Sequence, residues 1–186
     1  MNDAELRAAL VEHAYLEGDF VLRSGKRSRY YLDKYRFETR PDLLRALGIR
    51  IADAVREHAP TATRLAGPEL GAVALTAAAS LESGLPFLLV RKAAKEYGTS
   101  KRLEGSPYAA GETVCVVEDV VTSGGALLEA VTALREAGLT VDTAVCVVDR
   151  EEGGADALAR EGVRLFPIFR ASELLAAVKS PAKPHG

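Results

Sequence analysis

The sequence lacks the signatures of several large classes of protein. Its 186 residues contain neither Gly-x-Gly-x-x-Gly nor Gly-x-x-x-x-Gly-Lys-[Ser/Thr], so the glycine motifs of dinucleotide-binding folds and of P-loop nucleotide-binding proteins are both absent. No apolar run approaches the roughly 20 residues that cross a bilayer, and the acidic first residues lack the apolar segment of a secretory signal. We therefore expect a cytoplasmic protein that does not associate with a membrane.

Cysteine is scarce and charge is nearly balanced. Cys115 and Cys146 lie inside apolar segments, with no CxxC pair and no spacing typical of metal ligands, which indicates buried thiols in a reducing compartment. The 24 basic and 26 acidic side chains give a formal net charge of −2, so the composition does not favour binding to nucleic acid. The length and a hydrophobic content of 48% suit one globular domain.

Residues 114–125 read Val-Cys-Val-Val-Glu-Asp-Val-Val-Thr-Ser-Gly-Gly. The four apolar residues predict a buried parallel strand that Glu118 and Asp119 close, and Thr-Ser-Gly-Gly opens a helix, so polar groups lie at the carboxyl end of a sheet. Free N–H groups at the helix start and the hydroxyls of Thr122 and Ser123 suit a phosphate. The two acids would repel phosphate but suit sugar hydroxyls or a divalent cation. A site for phosphate beside a site for sugar hydroxyls fits a ribose 5-phosphate. Alternatively, Asp119 or Thr122 only caps the helix and Glu118 faces solvent.

The rest of the chain alternates between strand and helix patterns, which predicts a doubly wound parallel sheet. We expect one domain over residues 1–186, with a hood and hairpin region at 1–36, an α/β core at 37–179 and a flexible tail at 180–186. The predicted helices are 3–14, 41–58, 72–83, 125–137, 155–161 and 172–178, the predicted strands are 64–66, 86–90, 114–117, 141–148 and 163–169, and a hairpin is centred on 24–26.

Three basic features could serve a ligand or could simply face solvent. Five basic residues lie between positions 23 and 34, around the tip of the predicted hairpin. The segment 91–105, which follows a strand directly, carries Arg91, Lys92 and Lys95 and could close over a polyphosphate. Arg150 follows another strand and could fork onto a planar acid, or could pair with a neighbouring glutamate at the surface.

Four segments in this order resemble the orotate phosphoribosyltransferase family. They are the Arg-Ser-Gly-Lys-x-Ser-x-Tyr-Tyr hairpin, the Gly-Pro-Glu-Leu-Gly turn, the Arg-Lys-x-x-Lys loop that ends in Glu-Gly, and residues 114–125, which resemble the phosphoribosyl diphosphate (PRPP) motif. The resemblance implies an α/β type I phosphoribosyltransferase fold, a mostly parallel doubly wound sheet flanked by helices under a small N-terminal hood. It also implies transfer of ribose 5-phosphate from PRPP to orotate, with Mg²⁺, in pyrimidine biosynthesis.

The resemblance also implies roles for individual residues. A catalytic group would consist of Lys95, Glu118 and Asp119, with both acids on the ribose hydroxyls, and Arg150 would bind the orotate carboxylate. The family loop reaches into the neighbouring subunit's site, so a homodimer that shares the 91–105 loop is implied, and Mg²⁺ would be held mainly by PRPP. The implied PRPP-binding residues are Arg91, Lys92, Lys95, Glu118, Asp119, Thr122, Ser123, Gly124, Gly125 and Ala126, and the implied orotate-binding residues are Arg23, Lys26, Tyr30, Tyr31, Thr122 and Arg150.

Two positions depart from well-known members of the family. Gly71 stands where some members have a lysine near the pyrophosphate, so that contact must come from the backbone or be lost. Tyr97 stands where histidine is common, which leaves no histidine for acid–base chemistry there.

Three alternatives stay open at the level of sequence. The first is a phosphoribosyltransferase for uracil or a purine, although a neutral base offers Arg150 no carboxylate. The second is a PRPP-sensing regulator without catalysis, and the third is a purely structural α/β domain.

Overall fold

Six strands form the central sheet of the structure, which is a computed structural model and describes residues 1–21, 25, 27–92 and 102–179. In chain order the elements are α1 (Asp3–Ala14), β1 (Tyr15–Val21), β2 (Arg27–Leu32), α2 (Lys34–Glu38), α3 (Pro41–His58), β3 (Arg64–Pro68), α4 (Ala72–Ser83), β4 (Phe87–Val90), β5 (Leu103–Gly105), β6 (Thr113–Val121), α5 (Gly125–Glu136), β7 (Thr140–Asp149), α6 (Gly154–Arg160), β8 (Arg164–Arg170) and α7 (Ala171–Lys179).

The strand order in the sheet is β5-β4-β3-β6-β7-β8, and only the β4–β5 pair is antiparallel. Successive side chains of β6 enter two different hydrophobic cores. Cys115 and Val117 pack with α1, α3 and α4, whereas Val114 and Val116 pack with α5. Because neighbouring strand residues point to opposite faces, helices cover both faces of the sheet. The predicted α/β architecture is confirmed.

The hairpin of β1 and β2 forms a separate two-stranded sheet, with Tyr15 paired to Leu32 and Val21 paired to Arg27. The short helix α2 follows it and buries Phe37 completely. Sequence analysis did not predict α2, because its five residues are too few to show a helical period. Its two ends matter for the site, because they carry Lys34 and Glu38.

Two predicted boundaries were wrong. The acids do not close β6, because the strand continues through Val120 and Val121, which pair with β7. The last residues of the predicted 91–105 loop form a strand instead, because β5 pairs with β4 and buries Leu103. A three-residue edge strand with one apolar residue leaves no pattern to detect.

Other boundaries follow local chemistry. Helix α1 begins with a capping box between Asn2 and Glu5, α3 has Pro41 in its first turn, and α4 ends at Gly84 with φ 75°. The predicted tail at 180–186 lies outside the described residues. Among the described residues, none of the helices combines the length and the apolar character needed to cross a membrane.

Candidate active site

A cavity of about 420 Å³ opens where β3, β4 and β6 end. These strands are parallel, so their carboxyl ends meet at one edge of the sheet, where open α/β folds bind ligands. The cavity brings together eight residues that sequence analysis assigned to PRPP: Arg91, Lys92, Glu118, Thr122, Ser123, Gly124, Gly125 and Ala126.

The loop at residues 122–126 has the geometry of an anion site. Gly124 precedes α5 with φ 83°, a conformation that glycine adopts without strain. A Cβ at this position would also lie 3.2 Å from the carbonyl oxygen of Gly154. Thr122 and Ser123 are exposed beside the start of α5. Backbone N–H groups at the start of the helix and two hydroxyls therefore border the cavity.

Cationic side chains line the cavity beside this loop. The backbone N–H of Lys92 donates to Glu69 Oε1 at 2.9 Å, and that of Arg91 donates to the carbonyl of Arg102 at 2.8 Å. Arg91 Nε is buried and has no hydrogen-bond partner within the described residues. Arg102, to which sequence analysis assigned no role, also lines the cavity. Three cations suit an anionic ligand with several charges.

Glu118 and Asp119 face different surroundings. Glu118 lines the cavity, whereas Asp119 lies against α2. Asp119 Oδ2 accepts a hydrogen bond from Lys34 Nζ at 2.5 Å, and Oδ1 accepts from the backbone N–H of Val120 at 2.5 Å. The prediction treated the two acids as one pair, and in the structure each has its own neighbour: Glu118 borders the cavity, and Asp119 is bonded to Lys34.

A third buried carboxyl group completes an acidic cluster. Glu38 is 3% exposed, and its Oε1 has no hydrogen-bond partner within the described residues. Burial, with the nearby charge of Asp119, raises the pKa of Glu38 to about 8, and the same two causes raise the pKa of Glu118 to about 8. Burial would lower the pKa of Lys34, but the carboxylate of Asp119 outweighs it and raises that pKa.

Gly71 has a steric reason to be glycine. A Cβ at this position would collide with Asp119 Oδ2 and would lie 2.5 Å from Lys34 Nζ. The ion pair of Lys34 with Asp119 therefore fills the space of a side chain at position 71. Sequence analysis expected a backbone contact or none there; it did not foresee a lysine from α2.

Arg150 lies at the end of β7 and contacts the hairpin. Its guanidinium carbon is 4.9 Å from the ring centroid of Tyr30, and its Nε lies 3.0 Å from Glu152 Oε1. The side chain is only 8% exposed, so the predicted pairing with a neighbouring glutamate occurs, but beneath the surface. Tyr31 is 39% exposed, with its ring centroid 5.6 Å from that of Phe20.

Not every predicted residue lines the 420 Å³ cavity. Asp119, Tyr30, Tyr31 and Arg150 are absent from its lining. A smaller apolar pocket lies between Tyr30, Arg150 and α7. Arg23, Lys26 and Lys95, as well as Tyr97, lie outside the described residues. In the part of the chain that the structure describes, no group of three or more His, Cys, Asp or Glu side chains could hold a metal ion.

Comparison with known proteins identifies the family. The family described as "Phosphoribosyl transferase domain" matches residues 41–166, more than half of the chain. A curated orotate phosphoribosyltransferase from Methanocella arvoryzae is 54% identical over 159 residues, which cover 85% of this chain and 88% of that protein. This chain belongs to the orotate phosphoribosyltransferase family.

Solved structures of the orotate phosphoribosyltransferase family share the fold. The enzyme from Aeropyrum pernix has a TM-score of 0.83 and 32% identity, over 95% of this chain and 99% of its own. The Mycobacterium tuberculosis enzyme in complex with PRPP has a TM-score of 0.78 and 28% identity, over 92% of this chain and 98% of its own. The predicted type I phosphoribosyltransferase fold is confirmed, and the chain is a phosphoribosyltransferase, a glycosyltransferase by class.

Proposed function

We propose that this chain transfers ribose 5-phosphate from PRPP to orotate, which gives orotidine 5′-phosphate and pyrophosphate for pyrimidine biosynthesis. The observation that carries the proposal is the 420 Å³ cavity. It joins a glycine-containing phosphate loop, a buried carboxyl group and several cations, as a sugar with phosphate at both ends requires. Family membership supplies the base, because the curated relatives are named for orotate.

The cavity suggests how PRPP lies. The loop at 122–126 would bind the 5-phosphate, and Glu118 and Asp119 would accept hydrogen bonds from the ribose hydroxyls. Arg91 and Lys92 would face the diphosphate, and the unpaired Nε of Arg91 offers a buried donor for it. Lys95, in the loop that follows, would come closest to the reacting bond.

Arg150 would bind the carboxylate of orotate. Its Nε lies 3.0 Å from Glu152 but has no well-aligned hydrogen bond within the described residues. A planar carboxylate could take two parallel bonds from the guanidinium fork. Tyr30, which already stacks on Arg150, would border the base. A neutral base has no group for this arginine, which favours orotate over uracil.

The chemistry is a substitution at the sugar. Orotate N1 would form a bond to C1 of the ribose as the bond from C1 to pyrophosphate breaks, with positive charge on the sugar in the transition state. The N1 proton of orotate would pass to water. The chain would mainly position the reactants and stabilise charge. Mg²⁺ bound with PRPP would offset charge on the leaving pyrophosphate. Because the described residues contain no group of three or more His, Cys, Asp or Glu side chains that could hold a metal ion, the ion would take its oxygen ligands mainly from PRPP and water.

We further propose a cytoplasmic homodimer whose 91–105 loops cross between subunits. Mixing two inactive variants tests the sharing. A hybrid of Lys95→Ala and Arg150→Gln subunits should regain activity, because one of its two sites receives an intact loop and keeps an intact base site. Activity that does not return on mixing would contradict the shared loop.

The direct test follows the absorbance of orotate after mixing with PRPP, Mg²⁺ and the protein, beside uracil and hypoxanthine. Loss of the orotate signal that needs both PRPP and Mg²⁺ is expected. Lys95→Ala should slow turnover strongly, and the control Arg160→Ala, which removes an exposed charge on α6, should not. Turnover of another base alone would refute the role of Arg150. PRPP binding without any turnover would favour a PRPP-sensing regulator.

A further inference from the structure

Lys34 lies at the meeting point of the hood and the core. Its Nζ is 2.5 Å from Asp119 Oδ2, although the two residues are 85 positions apart in the chain. It also fills the space that a side chain at Gly71 would need. Neither the PRPP motif nor the basic loop includes this residue, so sequence analysis assigned it no role.

The ammonium group of Lys34 has more hydrogen-bond donors than Asp119 uses. A lysine ammonium carries three N–H donors, and within the described residues Asp119 Oδ2 is the one acceptor that Lys34 contacts. The side chain is 30% exposed, whereas that of Asp119 is 4% exposed. The pair is thus buried at its carboxylate, whereas part of the lysine side chain is exposed, although Lys34 is not among the residues that line the 420 Å³ cavity.

The turn beside Lys34 is also bonded to Lys92, a residue that the proposed function places at the diphosphate. Glu69, which begins the turn from β3 to α4, accepts the backbone N–H of Lys92 at 2.9 Å. Gly71, two residues further on, lies against the ammonium of Lys34. One short turn is therefore bonded to the backbone of Lys92 and packs against the ammonium of Lys34.

The surrounding charges make a cation necessary if an anion is to bind here. Glu38, Glu118 and Asp119 are all buried, and Lys34 acts electrostatically on each of them. A phosphate oxygen that approached the carboxylate of Asp119 without this ammonium would meet repulsion. With it, the carboxylate of Asp119 and the phosphate can share one positive charge.

We propose that Lys34 is a further PRPP-binding residue, which donates one hydrogen bond to Asp119 and another to the diphosphate of PRPP. The ammonium that Gly71 cannot supply then comes from α2. The inference rests on the PRPP-binding part of the proposed function. It does not depend on which nucleobase the chain accepts.

The test compares two ligands that share the 5-phosphate and the ring hydroxyls. PRPP carries the diphosphate and ribose 5-phosphate does not, and both are titrated by calorimetry with Mg²⁺. In Lys34→Met the Kd for PRPP should rise about tenfold or more, and that for ribose 5-phosphate should change less than about threefold. The control Arg36→Met removes a cation from the same helix that pairs instead with Asp33, and should alter neither Kd.

Each result decides the matter. Equal losses for both ligands would mean that Lys34 only holds Asp119 in place, and no loss for either would mean that it takes no part; both overturn the proposal. If Lys34→Met does not fold, Lys34→Gln keeps a donor for Asp119 without the charge and should show the same selective loss. A wild type that binds PRPP but does not consume orotate would refute the proposed function and leave the assignment of Lys34 standing, whereas one that binds no PRPP would overturn both.

Discussion

Replacing Glu38 by glutamine should make the stability of the protein less dependent on pH. Glu38 is buried beside Asp119, Lys34 and Asp33, and its pKa is raised to about 8 from an ordinary 4.5. Between these two values the folded protein holds a proton that the unfolded chain has released. The free energy of unfolding therefore falls as pH rises from 4.5 to about 8 and levels off above that.

The size of the effect follows from the raised pKa. One pH unit corresponds to about 1.4 kcal/mol for each proton, so the full span from 4.5 to about 8 would amount to about 5 kcal/mol. Glu38 and Glu118 both interact with Asp119, so the proton is shared among the three carboxyl groups and only part of this span belongs to Glu38. We therefore expect that Glu38 lowers the free energy of unfolding by about 2 kcal/mol between pH 5 and pH 8.

Urea denaturation at several pH values measures this directly. Glu38→Gln keeps the shape of the side chain but has no proton to lose, so its stability relative to wild type should improve steadily from pH 5 to pH 8. The control Glu161→Gln, which changes an exposed carboxylate, should follow the wild-type curve. Parallel curves for Glu38→Gln and wild type would show that Glu38 is not held protonated by its surroundings.

Three substitutions test other parts of the site. Gly71→Ala should raise the Kd for PRPP about tenfold or more, because the new methyl group displaces the Asp119 carboxylate; calorimetry that finds an unchanged Kd would contradict this. Gly124→Ala should cost about 1 kcal/mol of stability, because alanine is strained at φ 83°, and should weaken ribose 5-phosphate binding; equal stability in urea would refute the strain. Arg150→Lys should raise the KM for orotate about tenfold or more without changing that for PRPP, because lysine cannot fork onto a carboxylate; steady-state rates at varied orotate would reveal an unaffected KM if Arg150 lies elsewhere.

The sequence predicts the order of helices and strands well because each core element carries its own pattern. The apolar positions of α3 repeat at helical spacing, and β7 is a nearly continuous apolar run, as expected of a strand that is buried on both faces. The errors occur where tertiary pairing decides. Val120 and Val121 extend β6 because β7 lies beside them, and Leu103 forms an edge strand because β4 offers unpaired backbone groups. Neither partner is visible within a local window of sequence.

The residues of the candidate site likewise fall into those that the sequence predicts and those that only tertiary contacts reveal. The loop at 122–126 and the pair Arg91 and Lys92 follow parallel strands, so the rule that such strands end at one edge was enough to bring them together. The same rule could not predict that Lys34 and Glu38 belong to the site. Their importance comes from contact with Asp119, which is 85 positions from Lys34, and Lys34 is one of five basic residues in a segment whose composition suits a solvated hairpin.

The ion pair of Asp119 makes the hood part of the chemistry. Glu118 lines the cavity, whereas its neighbour Asp119 is bonded to Lys34 of α2. Asp119 is buried, and a buried carboxylate without a cation would be costly. The PRPP motif therefore requires a compatible hood: a chain with the same residues at 114–125 but no ammonium from position 34 or 71 would leave Asp119 buried and unpaired.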